Sequence, residues 1–274
     1  MPSLGPDAAR YWLAGGSQRQ ARPFHLRWLL PYVCEQSIRR WWVVWIVSWP
    51  VAGLGMFAWQ AQSVSWVRSL AATVLVLGLP GILGPKVTVP VGVDLPALAV
   101  GLSATALVAD GSPHMIVAGC LLAAMGSTIR ETVPVYAALW AWSPWPLLGL
   151  AVPLAAHLVY RPAAEDVLGP KFTQIARHPV RASLEAHRGR WRDGWLWVAP
   201  WGVCLAGLLH PTPQVLVALA ASWAVVLVAT DTVRLQHHAA GPVLAASAAQ
   251  IIPVSWMLIA CAVHVFWFRT PERV

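Results

Sequence analysis

Three stretches of this chain, residues 132–160, 194–230 and 235–268, contain no Asp, Glu, Lys or Arg. A helix crossing a hydrocarbon layer needs about 20 mostly apolar residues, so each stretch has room for one or two such helices. The composition agrees: 58% of residues are hydrophobic and 11% charged, against roughly 45–50% and 25% in soluble domains. The expectation is an all-α, polytopic membrane bundle of about eight segments, with one Pro-broken or re-entrant helix. Many of the 18 tryptophans, including Trp41, Trp42, Trp59, Trp66, Trp145, Trp195, Trp197 and Trp267, stand at the ends of apolar runs. That is where an indole buries its ring and keeps its N–H wet.

The net charge is +8, with Arg far exceeding Lys. In so apolar a chain, loop charges that set topology and touch anionic lipids account for this excess, and no nucleic-acid partner is expected. Cys34, Cys120, Cys204 and Cys261 show neither a Cys-x-x-Cys spacing nor a disulfide framework, so they read as small apolar residues and no metal is assigned. Residues 1–40 carry six Arg without a continuous apolar core, which does not fit a cleavable signal peptide.

Proline, glycine and charge divide the chain into a basic interfacial segment (1–40), a first transmembrane bundle (41–160), a basic loop (161–193) and a second bundle (194–274), one membrane domain overall. Spans are expected at 41–59, 66–84, 95–109 and 113–127, with a Pro/Gly/Val loop at 85–94 and a tight Asp110-Gly111-Ser112-Pro113 turn. Pro144 and Pro146 split the next stretch into a short helix at 132–143 and a span at 147–160. Spans at 195–210 and 213–230 flank a Pro-Thr-Pro turn, and the last span, 242–267, is broken at Pro253. The 161–193 loop holds seven Lys/Arg against four acids, and its 180–192 portion reads as an interfacial helix.

Charge counting places both this loop and the N-terminal segment in the cytoplasm. The five clear crossings before 161 place them on opposite sides. A crossing by the helix at 132–143 would restore agreement, but about 12 residues reach only about 18 Å of a 30 Å core. Either one segment is re-entrant or residues 1–40 lie outside.

Three polar clusters interrupt the apolar chain. Pro23-Phe-His25-Leu-Arg27-Trp-Leu-Leu-Pro31 follows Asp7, Tyr11 and Trp12. It reads either as an interfacial anchor with a snorkelling Arg or as a segment offering His25 and Arg27 to a phosphate. In Ser127-Thr128-Ile-Arg130-Glu131-Thr-Val-Pro134, Ser127 or Thr128 is placed to cap the following helix, with Glu131 in its first turn. The alternative is a polar site at a broken helix that meets an anion. In Thr230-Asp231-Thr-Val-Arg234-Leu-Gln-His237-His238, helical spacing sets Asp231, Arg234 and His238 on one face. That face is either an ion pair at the end of a span or an Arg aimed at a lipid phosphate. His237 and His238 are adjacent and point apart on a helix, a poor metal arrangement.

Together these clusters resemble the C-type (GT-C superfamily) polytopic membrane glycosyltransferase-like proteins of bacteria. Those proteins carry an aromatic-Arg-x-Leu-Leu-Pro element soon after an acid, a Lys/Arg-Glu pair opening a mid-chain helix, and a late Asp-x-x-Arg before a small-residue helix. Here the similar elements are Phe24 to Pro31 after Asp7, Arg130-Glu131, and Asp231 to Arg234 before the run Ala239 to Pro253. The resemblance implies a polyprenyl-phosphate-linked sugar as donor, no other cofactor, Asp7 as the base, and His25, Arg27, Arg130, Glu131, Asp231 and Arg234 around the lipid phosphate. It also implies a multi-pass protein of the bacterial cytoplasmic membrane, with membrane lipids as partners. Two other function classes fit the residues. One is a non-enzymatic membrane component that binds a protein partner through the 161–193 loop. The other is a small transporter or flippase built on the Pro-broken 132–160 stretch, with His157 and His264 expected to be buried.

Overall fold

The computed structural model describes residues 6–16, 26–83, 91–159, 178–188, 198–228 and 232–267. Among them every regular element is helical. The chain divides into two compact units, one drawn from Met1–Gly55 and Lys86–Arg177, the other from Met56–Pro85 and His178–Val274.

The first unit contains α1 (Pro6–Gly15), α2 (Leu29–Cys34), most of α3 (Ile38–Ala61), α6 (Asp94–Asp110), α7 (Pro113–Ser127), α8 (Val133–Ala141), a 3₁₀ segment (Trp145–Leu150) and α9 (Ala151–Val159). The breaks come where side chains forbid continuation. Gly111, with φ of 81°, ends α6 in the left-handed region, a conformation that costs glycine little. Pro113 opens α7 at a position whose N–H has no helical partner. The expected division of 132–160 is present, although a 3₁₀ segment precedes α9 where one continuous span was expected. Its helices approach closely over small residues. A Cβ at Gly55 would stand 2.8 Å from the Ser103 nitrogen, and one at Gly149 would stand 2.8 Å from that of Ala124. Small residues at such positions let the helix backbones approach closely.

The second unit contains α4 (Trp66–Leu77), α5 (Pro80–Leu83), α10 (Pro179–His187), a 3₁₀ segment (Ala199–Leu209), α11 (Pro213–Val228), α12 (Thr232–Ile251), a further 3₁₀ turn (Val254–Trp256) and α13 (Met257–Trp267). α12 is its axis: Ala239, Ala240, Leu244, Ala245 and Ala248 are all fully buried. The expected span at 66–84 is interrupted at Gly78, just before Pro80, whose ring cannot continue the ladder. The last span differs more. Its helix starts at Thr232, ten residues before the expected start at 242, so the His237-His238 pair lies inside it and is buried. Pro242 is accommodated within that helix. The expected break at Pro253 is present, and the two arms meet there at 116°. Arg68 on α4 caps the break, donating from Nη1 to the carbonyls of Ala249 (2.6 Å), Gln250 (2.5 Å) and Ile252 (3.4 Å). The first two are carbonyls that a helix C-terminus leaves without intrahelical donors, and the third follows the end of the helix. α10 corresponds to the helix expected at 180–192, and its Ser183 hydroxyl donates to the Val226 carbonyl.

By length and composition α3 can cross a membrane alone, and the bent α12–α13 pair passes the same test only if taken together. α3 is not a buried core helix. Val43, Ile46, Val47 and Leu54 are 52–67% exposed.

Candidate functional site

The first unit gathers two of the three polar clusters. α7 ends at Ser127, and the chain turns through residues 128–132 before α8. The Arg130 amide donates to the Gly126 carbonyl at 2.9 Å and the Val133 amide to the Arg130 carbonyl at 3.0 Å, which closes the turn. Ser127 and Thr128 do not cap the following helix as expected. Their hydroxyls donate backward to the carbonyls of Ala124 (2.6 Å) and Met125 (2.7 Å). α8 begins instead after Thr132, with Pro134 in its first turn, and its start carries no side-chain cap. Proline needs no partner for an amide it lacks, so a cap there has less to satisfy. Glu131 therefore stands just outside α8 and is available to a distant partner.

That partner is Arg27. Nε donates to Glu131 Oε2 at 2.8 Å and Nη2 to Oε1 at 2.6 Å, the two-pronged geometry a guanidinium makes with a carboxylate. The third nitrogen, Nη1, donates to the Tyr11 hydroxyl oxygen at 2.9 Å. The Leu29 amide meets the Thr128 carbonyl at 3.4 Å, so the start of α2 is tied to the turn that carries Glu131. Beneath lies an apolar floor that includes Tyr11, Leu30, Cys34, Trp41, Ile129 and Val133. Burial favours the neutral carboxyl of Glu131, but the Arg27 guanidinium outweighs it and holds the group down at about 2. Burial likewise works against the charge on Arg27, while Tyr11 and Glu131 outweigh it and keep its pKa well above the usual value. Glu131 is thus an anchored anion at neutral pH. It has no proton to donate and is too weakly basic to take one.

A second ion pair lies alongside. Arg130 Nη1 donates to Asp94 Oδ1, with side chains 6% and 9% exposed. Asp94 opens α6, and an acid in a first turn also suits the helix dipole. Arg10 of α1 is buried in the same unit.

Of the residues singled out from sequence, Arg27, Arg130 and Glu131 come together. Asp7 is in the first turn of α1, but its side chain lies outside the described residues, as do His25 and Asp231. Arg234 belongs to α12 in the other unit. Asp94 was not singled out, and Tyr11 was noted without a role. Asp94 had a signal: it is the one acid between Glu35 and Asp110, and it opens a helix with no other charge until Asp110 at its far end, so it needs a cation.

No known protein family, curated protein or solved structure matches this chain.

Proposed function

We propose that this chain is a multi-pass protein of a bacterial cytoplasmic membrane that holds a polyprenyl-phosphate-linked sugar at the Arg27 cluster, as a glycosyltransferase-like protein. The observation that carries the reading is the Arg27 fork: a planar guanidinium, held by Tyr11 and directed at a carboxylate whose geometry a phosphate shares. Membrane residence is supported by apolar side chains that point outward on many helices. Among them are Leu121 at 67%, Leu154 at 67%, Leu158 at 87% and Leu258 at 85%. Surfaces of that extent in water are aggregation liabilities; in lipid they are ordinary. The shorter apolar helices among the described residues, α4, α7, Trp145–Val159, Ala199–Leu209 and α11, are further candidates for crossings.

In this reading Asp7 serves as the base for the acceptor, and Arg27 faces the lipid phosphate. Asp7→Asn abolishes sugar transfer in reconstituted vesicles while the thermal transition of the protein stays in place. Undiminished turnover in that variant removes the catalytic role of Asp7. Failure of the wild-type protein to retain any polyprenyl-phosphate lipid through purification removes the carrier altogether.

A further inference from the structure

Arg27 and Arg68 use one edge of the guanidinium alike and the other differently. Arg68, in the first turn of α4, donates from Nη1 to the carbonyls of Ala249, Gln250 and Ile252, as Arg27 donates from Nη1 to Tyr11. The other edge of Arg27, Nε and Nη2, takes the Glu131 carboxylate. The same edge of Arg68 meets no acceptor among the described residues. The sequence supplies none nearby: Arg68 is the one charged residue between Arg40 and Lys86, and no acid lies between Glu35 and Asp94. Glu185, the described acid of the second unit, is taken by Arg181. The surface around Arg68 suits a headgroup layer. Arg68 is half-buried, while Ser63, Ser65 and Gln250 are exposed. Trp66 is 68% exposed and Trp256 60%, and indoles favour the headgroup level. α3, the one described helix that can cross a membrane alone, ends at Ala61, and Arg68 is the third residue of the helix that follows. At 1.5 Å of rise per residue it lies only about 5 Å along α4 from its start, a depth from which a side chain of its length reaches the phosphates.

We propose that Arg68 binds the headgroup phosphate of an anionic phospholipid through Nε and Nη2, and that the bound lipid steadies the α12–α13 break. This rests on the membrane residence proposed above and not on the sugar-carrier reading of Arg27. A phosphodiester presents two unesterified oxygens, the pair that a guanidinium edge takes side-on. In a zwitterionic headgroup the lipid's own ammonium competes for that phosphate; an anionic headgroup carries no such rival. The lipid meets Arg68 in the arrangement in which Nη1 holds the carbonyls of the break. A ligand that binds one arrangement in preference to others stabilises that arrangement, so lipid at one edge of the guanidinium is felt at residues 249–252 on the other.

The test titrates the detergent-solubilised full-length protein with dioleoylphosphatidylglycerol, the matching phosphatidylcholine, the matching diacylglycerol and inorganic phosphate. Phosphatidylglycerol raises the wild-type unfolding midpoint by about 3 °C or more and slows amide exchange at residues 248–252 by about tenfold. Phosphatidylcholine does less, and diacylglycerol and inorganic phosphate do neither. Arg68→Met loses both effects. Arg68→Lys, which keeps the charge without the two-pronged edge, retains about half or less. The wild-type exchange pattern carries the test if Arg68→Met fails to fold. An undiminished midpoint shift in folded Arg68→Met, or lipid protection spread evenly instead of concentrated at 248–252, overturns Arg68 as the contact. An equal response to diacylglycerol overturns the phosphate, an equal response to phosphatidylcholine the anionic headgroup, and an equal response to inorganic phosphate the lipid source. A protein that stays monodisperse without detergent and does not float with vesicles overturns the membrane reading itself. One that floats with vesicles but answers to no lipid overturns the Arg68 site alone.

Discussion

Nδ1 of His237 accepts the amide proton of Gly81 at 2.9 Å, in a fully buried position. The contact fixes the tautomer: Nδ1 is the acceptor, so the proton of the neutral ring is on Nε2. It also joins α5 to α12 within the second unit and sets the imidazole edge-on to Trp201, ring centroids 4.6 Å apart. His237→Gln places its amide near the Nε2 position and leaves the Gly81 N–H bare, at about 1–3 kcal/mol. His237→Asn places an oxygen close to the position of Nδ1 and recovers much of that. Thermal unfolding in detergent distinguishes the two; glutamine as stable as asparagine counts against the bond.

Arg68 caps the C-terminal end of α12 through three carbonyls. Arg68→Met keeps the stem and removes the donors, costing about 2 kcal/mol, within the range for hydrogen bonds to a charged group. Hydrogen exchange checks the location. Amide protection is expected to fall at residues 248–252 before it falls elsewhere in the unit.

The Arg130–Asp94 pair is closed from solvent, so removing one member harms more than removing both. Asp94→Leu leaves a buried cation and destabilises by about 3–5 kcal/mol. Asp94→Leu combined with Arg130→Met restores most of that loss. The double-mutant cycle fails to support the pair if the two costs simply add.

Glu131 makes a pH signature. Its folded-state pKa of about 2 lies below the ordinary value of 4.5. Its contribution to stability is complete above about pH 4.5 and is lost as pH falls through 2. Unfolding midpoints measured across that window fall for the wild type, and the slope is smaller for Glu131→Gln.

Helical class was readable from composition and from the placement of Pro and Gly. Pro113 and Pro253 mark boundaries in the sequence and also in the structure. Pro242 shows the limit, because a proline interrupts a helix only when nothing around it holds the turn, and α12 is packed along its length. The same limit hid the start of α12: the polar run Arg234 to His238 read as a boundary, yet Gln236, His237 and His238 are buried within the helix. In the site, Arg27, Arg130 and Glu131 were recognisable because charge is rare in this chain. Their pairing was not. Local spacing carries information over a turn or two of helix, whereas Arg27 and Glu131 are 104 positions apart and Arg130 and Asp94 are 36 apart. The roles of Ser127 and Thr128 reversed for a smaller reason, since a hydroxyl at a helix junction has carbonyls behind it and amides ahead, and sequence does not say which it takes.

The long separation within the Arg27–Glu131 pair also has a consequence for biosynthesis. Translation proceeds at about 5–20 residues per second, and 104 residues separate the two partners. Arg27 leaves the ribosome on the order of ten seconds before the carboxylate that neutralises it. During that interval the N-terminal segment carries the Arg27 cation without the Glu131 carboxylate. The first unit's helices between the two residues are therefore made before the pair can close, and the fork forms only once Glu131 has emerged.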